Sequence, residues 1–75
     1  MRLLLLGRLS HLAIDGSLIP SSISDSAALR AHLGDQWPEL SDPTVKMAVN
    51  RTLVLGSVPI EGDDEVAFLP PMSGG

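Results

Sequence analysis

The chain contains no cysteine. At 75 residues it lies in the size range where disulfides or thiolate-bound metals commonly reinforce a fold, so its core has to close by packing alone. That much chain makes one domain at most, and the missing thiols also exclude a cysteine nucleophile. With 44% hydrophobic and 19% charged residues, the chain is too apolar for intrinsic disorder and reads as globular. Its five basic residues, Arg2, Arg8, Arg30, Lys46 and Arg51, are scattered, and the net charge is −4. Neutralising a phosphate backbone takes a basic stripe, so no nucleic acid is expected as a partner. The apolar run Leu3 to Leu6 stops at Gly7 and Arg8. It is too short for a signal-peptide core or a membrane span, which predicts a cytoplasmic protein with no membrane partner.

Leu3 to Leu6 is continuous rather than alternating, as in a central strand buried on both faces. Asp15-Gly16 predicts a turn, followed by a poor second strand that must lie at a sheet edge because Pro20 cannot donate to a ladder. One segment carries a helical period. Ser24 or Asp25 caps it, Ala28, Leu29, Ala31, His32 and Leu33 repeat at helical spacing, and Gly34 ends it. A helix of roughly nine residues melts in isolation, so its Leu29 and Leu33 face must dock on a sheet. Residues 35–43 read as an irregular connection in which Trp37 covers one end of the core. Val45, Met47 and Val49 alternate with Lys46, Ala48 and Asn50, giving a half-buried strand. Asn50-Arg51 fits a tight turn into a short returning strand from Thr52 to Leu55. Val58-Pro59-Ile60 and a turn at Gly62-Asp63 lead to a last strand, Glu65 to Leu69, ended by Pro70-Pro71. The order strand, strand, helix, strand, short strand, strand predicts an α+β fold with one helix across one face of a mixed sheet, its first and last strands adjacent.

The most informative segment is the C-terminus, residues 62–75 (GDDEVAFLPPMSGG). A Gly-Gly end that follows a strand and a Pro-Pro stop, in a domain with the element order of the β-grasp, is far more specific than either part. With residues 45–55 (VKMAVNRTLVL) and the helix at 27–33 (AALRAHL), this end resembles the small subunit of molybdopterin synthase, the MoaD family of sulfur carriers. The resemblance spans essentially the whole chain and is weakest over residues 11–24. It implies a ubiquitin-like β-grasp domain over residues 1–69 and a flexible tail over residues 70–75. It implies further that the Gly75 carboxylate is adenylated by an activating enzyme related to the ubiquitin E1 enzymes, then converted to a thiocarboxylate with sulfur from a sulfurtransferase donor. That sulfur passes, inside the large subunit, to a cyclic pyranopterin precursor in molybdenum cofactor biosynthesis. The chain would then be the non-catalytic, sulfur-donating subunit of a heterotetramer, with no bound cofactor and no metal.

The residues make physical sense of that scheme. A carboxylate is a poor electrophile and needs activation from outside, and the chain has no phosphate-binding loop with which to supply it. Glycine lets backbone enter a channel too narrow for side chains, which suits Gly74 and Gly75 to insertion behind Met72 and Ser73. Residues 66–75 carry no charged side chain, and a tail threaded into protein must avoid burying an unpaired charge. Pro70 and Pro71 stiffen its root and reduce the entropy lost on docking.

Elsewhere the residues read more plainly. Ser73 is a spacer, since no histidine and acid accompany it in triad order. His11 and His32 are too few and too separated for a metal site. Lys46, the only lysine, reads as solvent face, and Asp63 to Glu65 as a solvated turn or a contact for a basic partner. A single helix covers one sheet face, yet the first strand is apolar on both and the last carries Phe68 and Leu69. Leftover apolar surface of that kind predicts a partner interface, here Leu6, Phe68 and Leu69, with the parity facing the core left open. Two related functions stay open beside the leading one: the sulfur carrier for thiazole synthesis, and a protein modifier conjugated to lysines.

Overall fold

The computed structural model describes residues 1–71. Among these residues four strands, β1 (Arg2–Leu5), β2 (Lys46–Val49), β3 (Thr52–Leu53) and β4 (Glu65–Leu69), form one sheet in the order β1-β4-β2-β3, and a single α-helix, α1 (Ser26–Gln36), falls between β1 and β2 in the chain. β1 runs parallel to β4, with Leu3 beside Val66 and Leu5 beside Phe68. β2 is antiparallel to both β4 and β3. The first and last strands are therefore neighbours, as the apolar runs at the chain ends predict. A mixed sheet of this order, with one helix across it, is the β-grasp.

The helix starts where a capping side chain is available. The Asp25 carboxylate accepts from the Ala28 N–H at 2.7 Å, satisfying one of the donors that a helix start leaves unpaired. Ser26, Leu29 and Leu33 make its one buried stripe. The buried Ser26 hydroxyl accepts from the Val58 N–H at 3.0 Å, and its own N–H donates to the Val58 carbonyl at 2.9 Å. That exchange fastens the chain before β4 to the start of the helix. Leu29, Leu33, Leu40, Val45, Val66 and Phe68 are almost wholly buried between helix and sheet, and Trp37 lies half-buried against them, covering an end of the core.

Three expectations are corrected. Gly34 does not end the helix, which continues to Gln36 and is capped by Trp37, because Pro38 is the residue that cannot continue it. Gly34 serves a close approach instead: a Cβ there would lie 2.6 Å from the Ser41 Oγ. Second, β1 is not buried on both faces. It ends the strand order, and Leu4 and Leu6 are 40% and 41% exposed, since one helix supplies one covering layer. Third, no second strand follows it. The chain makes 3-10 turns at Gly7–His11 and Gly16–Leu18, and the Asp15 carboxylate accepts from both the N–H (2.9 Å) and the hydroxyl (2.7 Å) of Ser17. A local side-chain turn of this kind competes with strand pairing, and Pro20 has no N–H to offer the ladder. By contrast, Asn50 and Arg51 take positive φ of 50° and 70°, the conformation of the tight hairpin that their position predicts.

Candidate functional site

Strand alternation divides the sheet into two faces. Toward the helix point Leu3, Leu5, Met47, Val49, Val66 and Phe68, all within or against the core. On the opposite face the register sets Leu4, Ala67, Ala48 and Leu53 in one row across all four strands. The alanines in the middle and the leucines at both ends make a shallow apolar trough, with Leu4 40% and Leu53 52% exposed.

One margin of this face is charged. Arg2 Nη2 lies 3.0 Å from Glu65 Oε2, and Arg51 Nε lies 3.9 Å from Glu65 Oε1. Both arginines are exposed while the Glu65 side chain between them is only 13% exposed, so solvent weakens the pairs at the arginine ends and their structural consequence is to bound the apolar row. Just beyond them Asp64 accepts from the Glu61 N–H at 2.8 Å and from Asn50 Nδ2 at 3.0 Å. These bonds, the Glu61 one first, hold its pKa below the usual aspartate value.

The other margin leads to the C-terminus. Leu69 pairs with Lys46, and a groove of about 570 Å³ is lined by Pro43, Thr44, Lys46, Leu53, Leu69, Pro70 and Pro71. The apolar face is thus continuous with the root of the tail, and the only lysine stands at the groove's rim.

Leu6 is exposed and Leu69 half-buried on this side of the sheet. Phe68 is not. It is 0% exposed and lies in the core, so its expected place at a partner interface is corrected: adjacent strand residues point to opposite faces, and the larger side chain fills the core. Pro70 and Pro71 are half-buried at the end of β4, whereas Met72, Ser73, Gly74 and Gly75 lie outside the described residues. His11 and His32 are exposed. Sequence reasoning missed Leu4, Ala48, Leu53 and Ala67 for want of the parity. The alternation of large Val66 and Phe68 with small Ala67 was the available signal, since the bulkier set belongs inside.

The ThiS family model matches residues 3–75. The chain is similar to the molybdopterin synthase sulfur carrier subunit of Escherichia coli, with 38% identity over 65 residues, covering 81% of this chain and 80% of the relative. It is also similar to the protein of the same name from Haemophilus influenzae, with 31% identity over 68 residues, covering 85% and 84%.

Proposed function

The chain belongs to the ThiS family, and from that membership together with the names of its two relatives we propose that it is the sulfur carrier subunit of a molybdopterin synthase, docking on a large subunit by its open sheet face and donating sulfur from its C-terminus. The observation that carries this reading is the continuity of the apolar row Leu4, Ala67, Ala48 and Leu53 with Leu69, Pro70 and Pro71 at the root of the tail. A partner that covers the row meets the outgoing chain on the same side, so docking brings the tail to the partner. The names of both relatives favour this role over thiazole synthesis.

The chemistry begins with the Gly75 carboxylate attacking the α-phosphate of a nucleoside triphosphate on an E1-like enzyme, which forms an acyl-adenylate and releases pyrophosphate. A persulfide on a donor sulfurtransferase then displaces the nucleoside monophosphate to give an acyl disulfide, and a thiol attacks its S–S bond, forming a disulfide with the donor and releasing the thiocarboxylate. On the large subunit this sulfur attacks an oxygen-bearing carbon of the pyranopterin precursor, the C–O bond breaks and the oxygen leaves with the electron pair and takes up a proton, and water then cleaves the acyl–sulfur bond to return the carboxylate. The chain's own part is to present the reacting atom on an uncharged strap and to supply the docking face. Intact-mass measurement of protein purified from its own host tests the reading. The expected result is a fraction heavier by the exchange of one oxygen for one sulfur, which transfers to the precursor when the large subunit is added. A chain that never acquires the sulfur in the presence of its activating enzyme and donor sinks the proposal.

A further inference from the structure

We infer that Gly7 is a positioning residue for the tail, setting the direction in which it leaves the sheet by seating the Pro70 ring against its bare Cα. β1 and β4 are parallel, so both strands finish at the same end of the sheet and their continuations must part there. The last bond of their ladder is from the Leu6 N–H to the Phe68 carbonyl, at 3.2 Å. In a parallel ladder the Leu6 carbonyl would next accept from the N–H of residue 70. That residue is proline and has no N–H, and the Leu6 carbonyl accepts from the Leu9 N–H instead, at 3.0 Å. The hand-over depends on Gly7, whose φ of +54° swings the chain out of β1 into the 3-10 turn Gly7–His11. Few residues other than glycine hold that conformation without strain. Steric contact makes the same demand independently, for a Cβ on Gly7 would lie 2.9 Å from Pro70 Cγ and 3.6 Å from Pro70 Cδ. On its other side Pro70 lines the groove with Leu69, Pro71, Lys46 and Pro43. Gly7 and the groove therefore flank Pro70, and the direction in which Pro70 leaves β4 is set before any partner is met.

The consequence for sulfur transfer rests on the carrier reading above; the direction of the root does not. A misdirected root leaves the docking face intact but misplaces the reacting carbonyl, and a displacement of ~1 Å at a reacting centre can cost on the order of a hundredfold in rate. The decisive comparison uses the full thiocarboxylated chain, with the large subunit at saturation, in single turnover. Gly7→Ala is expected to slow transfer by about tenfold or more while its affinity for the large subunit stays within about threefold. Gly7→Ala with Pro70→Ala, which removes the clashing Cγ but keeps the strained φ, is expected to recover the rate of Pro70→Ala alone without recovering the melting temperature. Should Gly7→Ala fail to fold, Pro70→Gly in the natural background decides the matter: it empties the seat without straining Gly7, and is expected to slow transfer in the folded variant even at saturating large subunit, where any loss of affinity does not register. An unaltered rate in folded Gly7→Ala or in Pro70→Gly, or no rescue in the double variant, overturns the inference. Cα–Hα residual dipolar couplings at Pro70 and Pro71 in the free chain give a reading without any sulfur chemistry. Both should change in Gly7→Ala, and the Pro71 coupling in Pro70→Gly, even if the wild-type chain transfers nothing, in which case the carrier reading falls and Gly7 stands; unchanged couplings remove Gly7 from the role.

Discussion

Phe68 and Leu69 are adjacent, both large and apolar, yet they differ in what they hold together. Phe68 is fully buried, so Phe68→Ala removes a core side chain and leaves a cavity, at a cost of about 3–5 kcal/mol. That is enough to unfold much of a chain this small, and chemical denaturation should report it directly. Leu69 faces the groove. Leu69→Glu should leave most of the stability in place and weaken binding to the large subunit by ~2 kcal/mol or more, because a charge is desolvated at the centre of the contact. Calorimetric titration beside a melt separates the outcomes, and an affinity that does not change excludes Leu69 from the docking face. Ionised side chains add a dependence on pH. Asp15 is held below the usual aspartate value of 3.8 by the hydroxyl and N–H of Ser17, Asp42 by the N–H and hydroxyl of Thr44, and Asp64 by the Glu61 N–H and Asn50. Each pKa is lower folded than unfolded, so the stabilisation is fully present above the unfolded value and disappears as pH falls through the folded one. The denaturation midpoint should stay level from about pH 7 to 5 and decline below about pH 4, with Asp64→Asn removing part of the decline. A midpoint that rises on acidification contradicts this assignment.

At the scale of elements, what was legible in the sequence was whatever rests on a short-range signal. The β2–β3 hairpin follows from Asn50-Arg51 and from alternation, and β4 from its five residues and the prolines after it; both stand where expected, except that the returning strand stops at Leu53 and not at Leu55. The span between β1 and α1 was misread because its apolar residues follow neither period and because Asp15 forms a private turn with Ser17. The end of α1 was misread for a different reason. Glycine is both a terminator and a residue of close approach, and only tertiary structure shows that Gly34 is the second, set against Ser41 in the 3-10 turn Pro38–Ser41. A test follows from that distinction. Gly34 lies inside the helix, where alanine is favoured over glycine by about 1 kcal/mol, and the atom in the way is one exposed hydroxyl. Gly34→Ala alone should gain less than that because the Ser41 side chain must turn aside, whereas Gly34→Ala with Ser41→Ala should raise stability by about 1 kcal/mol. If Gly34 were a terminator after all, the double variant would melt below the wild type.

Considered whole, the molecule places its two apolar surfaces back to back. One is closed by α1, and the other is the row Leu4, Ala67, Ala48 and Leu53, open on the far side of the sheet. With Leu4 40% and Leu53 52% exposed, the open row adds less to the stability of the free chain than the core does, which makes it largely separable from folding. It is equally separable from the chemistry, because the reacting carboxylate of the proposed reaction lies at Gly75, six residues beyond Leu69, and the core ends with β4. Three functions can therefore be removed singly. Leu4→Gln with Leu53→Gln should fold, melting only modestly lower, and keep the capacity to acquire sulfur, but lose affinity for the large subunit by ~2 kcal/mol or more if these leucines are hot spots of a standard interface. Deletion of Gly75 should have the opposite pattern. Its melting temperature and docking on the open face should persist, while sulfur loading by the activating enzyme is abolished because the terminal carboxylate no longer lies at the position the enzyme reads. Mass spectrometry after loading, with titration against the large subunit, distinguishes the two variants. If deletion of Gly75 also eliminated binding, the docking face would be an accessory to the tail rather than an anchor in its own right, and the continuity of row and tail would have to be understood as a channel for the chain and nothing more.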